Sequence, residues 1–210
     1  MSYDGLVSRY LNRRLSRPLA RALLPTPITP NQATAFTLLL ALATGAMLAA
    51  GWNIAGGIAI QAVSVIDGVD GELARLKQAA TRLGAIFDAV ADRYADAAII
   101  AGMTVYAARF EARPHPEFVG MLALGASLIV SYSRARIEAD LPAIARSGNL
   151  DRIFGLASRD VRSLLLALGA VLGQCYLALA LVAGLAALTI AWRLVYLRVL
   201  APANRPTANG

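Results

Sequence analysis

Residues 67 to 92 read DGVDGELARLKQAATRLGAIFDAVAD, and the carboxylates in this stretch decide how the chain must fold. Asp67 and Asp70 are three residues apart, and Asp88 and Asp92 are four apart. Each pair therefore lies on one face of a helix. A turn near Ala79 and Ala80 folds the stretch into a hairpin. Asp67 then comes level with Asp92, and Asp70 with Asp88. Four carboxylates converge at one depth, about two to three helical turns in from the turn. Glu72, Arg75, Arg93 and Asp96 accompany them.

The surroundings of this hairpin are apolar. Of 210 residues, 58% are hydrophobic, which points to membrane spans rather than a soluble core. Apolar runs occupy about 32–50, 54–77, 83–108, 118–137 and 163–200. The last is uncharged from Ser163 to Trp192. A single helix of that length would reach about 45 Å, against a hydrocarbon core of about 30 Å. It reads as two helices with a turn near residues 173–176. The expected fold is all-α and integral to the membrane, with six transmembrane helices. The first run starts too deep in the chain, and is too long, for a cleaved signal peptide.

The net charge is +7, and every basic residue except Lys77 is arginine. The charges fall between the apolar runs rather than in one patch. That argues against a nucleic-acid partner and for cytoplasmic loops of a membrane protein. The N-terminal segment, the link around Arg75 to Arg82, the 134–162 link and the C-terminal end hold nearly all of them. Both termini and the aspartate site are thus expected on the cytoplasmic side, which requires an even number of spans. Residues 1–28 read as a juxtamembrane amphipathic helix at the bilayer surface, with Leu15 and Leu19 among Arg13, Arg14, Arg17 and Arg21. PTPITPNQ ends it, with Thr29 as cap and Pro30 in the first turn of the next helix. Residues 29–200 form the catalytic domain, and 201–210 a disordered tail.

Cys175 is the single cysteine and His115 the single histidine, so disulfide, thiolate and imidazole metal chemistry are excluded. Four carboxylates cannot share one site without cations, because repulsion and desolvation would protonate them. Oxygen-only ligands select hard divalent ions, Mg²⁺ or Mn²⁺. Asp67, Asp70, Asp88 and Asp92 suit two such ions about 3.5–4 Å apart, the arrangement that clamps a phosphate and activates a hydroxyl. Asp92, the last of the four, is placed to take the proton of an incoming hydroxyl. Gly68, Gly71 and Gly84 permit close approach of a ligand. Arg75 is placed to meet phosphate oxygens. Farther along, Ser131, Arg134 and Arg136, then Arg159 and Arg162 in SRDVR, and Arg193 supply a second basic set. So many arginines suit a phosphorylated acceptor better than a neutral alcohol.

Asp67, Asp70, Gly71, Ala74, Arg75, Gly84, Asp88 and Asp92 together match D-x2-D-G-x2-A-R-x8-G-x3-D-x3-D. This resembles the signature of the CDP-alcohol phosphotransferases. The resemblance implies a six-helix fold, a homodimer, and transfer of a substituted phosphate from a CDP-alcohol to an acceptor hydroxyl, with release of CMP. It implies metal ligation by all four aspartates, with Asp92 also as general base. CDP contacts would come from Asp70, Gly71, Arg75 and Thr81, and from Asn31 and Thr34 of a PN-x-x-T element. Ser131, Arg134, Arg159, Arg162 and Arg193 would hold the acceptor. The Ser131–Arg136 segment and SRDVR look like the inositol-phosphate-using branch, which includes phosphatidylinositol-phosphate and di-inositol-phosphate-phosphate synthases. Glycerol phosphate and serine stay open as acceptors, and CDP-diacylglycerol and CDP-inositol as donors. From another class, a divalent-cation or proton-coupled transporter would also place aspartates in a membrane. Its polar groups should cross the bilayer, whereas these gather on one half.

Overall fold

A computed structural model describes residues 12–142, 144 and 158–200. The expectations for residues 1–11 and for the tail, 201–210, lie outside that range. All regular structure among the described residues is helical: α1 (Arg13–Leu23), α2 (Pro30–Ala49), α3 (Asn53–Leu76), α4 (Arg82–Phe110), α5 (Pro116–Asp140), α6 (Arg159–Val171) and α7 (Cys175–Leu200).

Local caps and turns set these limits, Thr29 among them as expected from sequence. Thr29 caps α2 in a reciprocal box: Gln32 N donates to Thr29 Oγ1 at 3.3 Å, and Thr29 N donates to Gln32 Oε1 at 2.9 Å. Thr81 caps α4 by accepting from Gly84 N at 3.0 Å. The α3–α4 connection spans residues 77–81, as the hairpin reading requires. The long C-terminal apolar run breaks at Gly173, whose φ of +65° suits a residue without Cβ. The following turn of α7 is held from another helix. Glu111 accepts Cys175 N through Oε1 at 2.6 Å and Tyr176 N through Oε2 at 3.1 Å.

α2, α3, α5 and α7 are long and apolar enough to cross a membrane. The other two of the six expected spans are less apolar or shorter. α4 has 29 residues, but Arg82, Asp88, Asp92, Arg93 and Asp96 crowd its first half. α6 has 13 residues. That is about 20 Å of helix, short of a core of about 30 Å.

Helix contacts through small residues fix the register. A methyl group on Gly102 would strike the Gly45 carbonyl and lie 2.7 Å from its Cα, so α2 and α4 touch backbone to backbone. On α3, a methyl on Gly57 would lie 2.7 Å from Ala167 O and 2.8 Å from Val171 N of α6. α6 returns antiparallel along α3. Ten residues on from Gly57, Asp67 therefore meets the start of α6, where Arg159 stands. Leu48, Ile60, Met103, Leu179 and Val182 fill the core between these contacts.

α1 packs on α3, but not through its leucines. Asn12, Ser16 and Ala20, spaced four apart, are 3%, 1% and 0% exposed. Asn12 Nδ2 donates to Ser64 Oγ at 2.9 Å, and Gln61 Nε2 donates to Asn12 Oδ1 at 3.0 Å. Arg17 Nε lies 3.7 Å from Glu72 Oε1. Leu15 and Leu19 instead line an apolar groove of about 590 Å³ between α1, α3 and α6, with Ile58, Val65, Leu164 and Leu168. The link from α1 to α2 is tied to the end of α3 by Lys77, whose Nζ donates to Thr26 O at 2.6 Å and to Ile28 O at 2.8 Å.

Candidate active site

α3 and α4 bring Asp67, Asp88 and Asp92 together, with one oxygen from each within 4.8 Å of the others. All three are half-buried. The donor set is hard oxygen, and the spacing suits a divalent ion shared by carboxylates. The residues present therefore fit a metal centre.

Asp70 is 7% exposed and is held by two other groups. Thr34 Oγ1 of α2 donates to its Oδ2 at 2.5 Å, and Gly71 N donates to its Oδ1 at 2.6 Å. The expected nucleotide contact Thr34 is thus joined directly to an expected metal ligand. A methyl on Gly84 would sit 3.0 Å from Thr81 Oγ1 and 3.2 Å from Asn31 Oδ1, so Asn31, Thr81 and Gly84 meet where α2 and α4 begin. Arg75 is exposed and pairs with Glu72 Oε1 at 3.1 Å. Gly71 lies within reach of the Arg75 guanidinium.

The later arginines divide. Arg159 enters the cluster: its Nη1 is 2.5 Å from Asp67 Oδ2 and 2.9 Å from Asp92 Oδ1. Its Nε is 3.4 Å from Asp96 Oδ1. Arg162, one turn on, reaches the other oxygen of Asp96 with Nη2 at 3.4 Å and is 3% exposed. Its Nη1 has no acceptor among the described residues, and neither does the neighbouring Ser158 Oγ a partner, although both are buried. Arg134 instead pairs with Glu138 on its own helix at 2.9 Å. Arg136 pairs with Asp140 at 2.7 Å. Arg193 joins α7 to α5 by donating to Val130 O at 2.7 Å and Ser133 Oγ at 2.8 Å. Ser131 is half-buried on α5.

Sequence reasoning left Asp96 out of the site, though the signal was present. Asp88, Asp92 and Asp96 recur every four residues and so share one helix face. Arg93 completes the charge pattern, with Nη1 3.6 Å from Asp92 Oδ2.

Comparison with known proteins agrees with this geometry. The CDP-alcohol phosphatidyltransferase family model matches residues 27–200. A bifunctional IPC transferase and DIPP synthase of Rubrobacter xylanophilus is 42% identical over 171 residues. That alignment covers 81% of this chain but 37% of the relative, so the chain spans well under half of it. A phosphatidylinositol phosphate synthase of Mycobacteroides abscessus is 32% identical over 169 residues, 80% of this chain and 73% of that protein. Among solved structures, the Mycobacterium tuberculosis phosphatidylinositol phosphate synthase with CDP-DAG bound superposes with a TM-score of 0.68 at 26% identity, covering 86% of this chain and 92% of that one. The same enzyme in complex with manganese and citrate gives a TM-score of 0.67. The matched range contains the whole signature from Asp67 to Asp92, and the chain belongs to the CDP-alcohol phosphatidyltransferase family.

Proposed function

We propose that this chain transfers a substituted phosphate from CDP-diacylglycerol to a hydroxyl of inositol phosphate, releasing CMP. The observation that carries the reading is the meeting of two kinds of charge. Carboxylate oxygens of Asp67, Asp88 and Asp92 converge within 4.8 Å, and Arg159 and Arg162 come to them from α6.

Asp67, Asp70, Asp88 and Asp92 would hold two divalent cations, Mg²⁺ or Mn²⁺. Bound there, such ions polarise the donor phosphate and neutralise the departing CMP. Asn31, Thr34, Gly71, Arg75 and Thr81 hold the cytidine diphosphate side. Asp92 accepts the proton of the attacking hydroxyl. Arg159 and Arg162 receive the acceptor's phosphate, with Ser131 and Arg134 of α5 and Arg193 of α7 as further polar contacts to the acceptor. The buried Arg162 Nη1, without an acceptor of its own among the described residues, supports an anionic ligand, because an unpaired buried donor costs about 1–3 kcal/mol.

The donor choice rests on the apolar groove between α1, α3 and α6. It reaches Val65 and Ile66, adjacent to Asp67, and so lies where acyl tails would leave the reacting phosphate. CDP-inositol has no part that would fill it. The same reading makes α2 to α7 six membrane helices, with both termini and the site on the cytoplasmic side, and the working unit a homodimer.

Purified protein with Mg²⁺ should release CMP when given CDP-diacylglycerol and inositol phosphate. Inositol, glycerol phosphate and serine, each paired with CDP-diacylglycerol and with CDP-inositol, complete the panel. Release only from CDP-inositol would overturn the donor. Preference for serine or free inositol would overturn the acceptor. No CMP from either donor with any acceptor would overturn the reaction.

A further inference from the structure

Arg159 stands in two places at once. Its Nε is directed to Asp96, and its Nη1 to Asp67 Oδ2 and Asp92 Oδ1. The last two carboxylates belong to the triplet whose oxygens converge on a volume of metal-ion size. Mg²⁺ takes carboxylate oxygens at about 2.0–2.1 Å in a near-octahedral shell, which leaves little room for a guanidinium on the same carboxylates. Guanidinium and metal ion therefore draw on the same two carboxylates, and as neighbouring cations they also repel.

We propose that Arg159 is the exchangeable internal counter-ion of the metal centre. This rests on the reading of Asp67, Asp88 and Asp92 as metal ligands. Metal entry displaces Nη1 from Asp67 and Asp92. Asp96 does not belong to the triplet, and it keeps hold of Nε. The guanidinium thus stays beside the centre after exchange, with its Nη1 hydrogens released toward an anion. Arg162 shares Asp96 and keeps its own free Nη1 there. Metal loading in this way creates the full positive face that a phosphorylated acceptor meets, and the acceptor site is completed only after the metal site.

The test uses the whole chain in lipid nanodiscs, stripped with chelator and titrated with Mn²⁺ alone, free ion being followed by electron paramagnetic resonance. Arg159→Gln removes the competitor, and its Mn²⁺ affinity should rise about tenfold over wild type, a change of the size expected for losing one close like charge. Stripped Arg159→Gln should melt below stripped wild type, and saturating Mn²⁺ should close that gap. Arg159→Lys keeps the charge but lacks the planar fork that spans Asp96 and the Asp67–Asp92 pair together. It should tighten Mn²⁺ binding by a smaller factor, and it serves if the glutamine variant fails to fold. Unchanged or weaker Mn²⁺ binding in these variants, with wild-type binding intact and lost on Asp88→Asn, overturns the exchange while leaving the metal site standing. Wild-type Mn²⁺ binding that is absent, or indifferent to Asp88→Asn, overturns both.

Discussion

Thr34 Oγ1 donates to Asp70 Oδ2 at 2.5 Å, so the first residues of α2 orient a carboxylate of α3. Groups that orient a metal ligand typically contribute 10- to 100-fold in affinity or activity. Thr34→Val should lower turnover by about that factor and raise the Mg²⁺ concentration needed for half-maximal rate, while Thr34→Ser stays near wild type. Rates measured across a Mg²⁺ series decide it; a serine variant as impaired as the valine would show that shape, not the hydroxyl, matters.

Asp92 has a different expected signature. Asparagine at this position keeps the size of the side chain but cannot take a proton from the acceptor. Asp92→Asn should bind CDP-diacylglycerol within a few-fold of wild type and lose about 10²–10⁴ in kcat. Equilibrium binding of labelled donor beside CMP release separates the two. Loss of donor binding would remove Asp92 from the base role.

Glu111 caps the opposite end of α4 from the aspartates, about 22 Å of helix beyond Asp96. Its carboxylate satisfies two backbone N–H groups at the start of α7 and places a negative charge there. Glu111→Ala should destabilise the protein by about 1–2 kcal/mol, as loss of a helix cap does. Thermal melting in detergent would show it, with turnover per folded molecule preserved at low temperature. An unchanged melting point would mean that water replaces the cap without loss.

Gly102 tests how closely α2 and α4 must approach. A valine there meets the Gly45 backbone, which cannot move as a side-chain tip would. Gly102→Val should cost about 1–3 kcal/mol from overpacking. It should also separate Thr34 on α2 from the carboxylates of α4, lowering turnover in whatever fraction still folds. Wild-type melting and turnover would show that the helices part without consequence.

Much of this arrangement was legible from periodicity and punctuation. Three- and four-residue spacing put Asp67, Asp70, Asp88 and Asp92 on facing sides of a hairpin. Thr29, Pro30 and Gly173 marked helix ends through preferences that are local and therefore readable. Long-range choices were less accessible. Arg159 and Arg162 share a helix face from sequence alone, but nothing local says that this face turns to Asp96 rather than to solvent. The Gly57 contact with α6 sets that register, and it joins residues more than a hundred positions apart. In α1 the leucine stripe marked the face for the bilayer surface, but nothing local marked the face that packs on protein. The structure buries Asn12, Ser16 and Ala20 because their small side chains let the helix lie close on α3 near Gly68. Hydrophobic periodicity ranks faces by polarity, whereas close helix contact selects by size.

Lys77 secures the link between α1 and the entrance of α2. Both of its acceptors are main-chain carbonyls, Thr26 O and Ile28 O. Every amino acid supplies that oxygen, so the clasp is blind to the side chains on the link it grips. These two contacts place no demand on the side chains of Thr26 or Ile28, and the fastening they provide depends on one ammonium group.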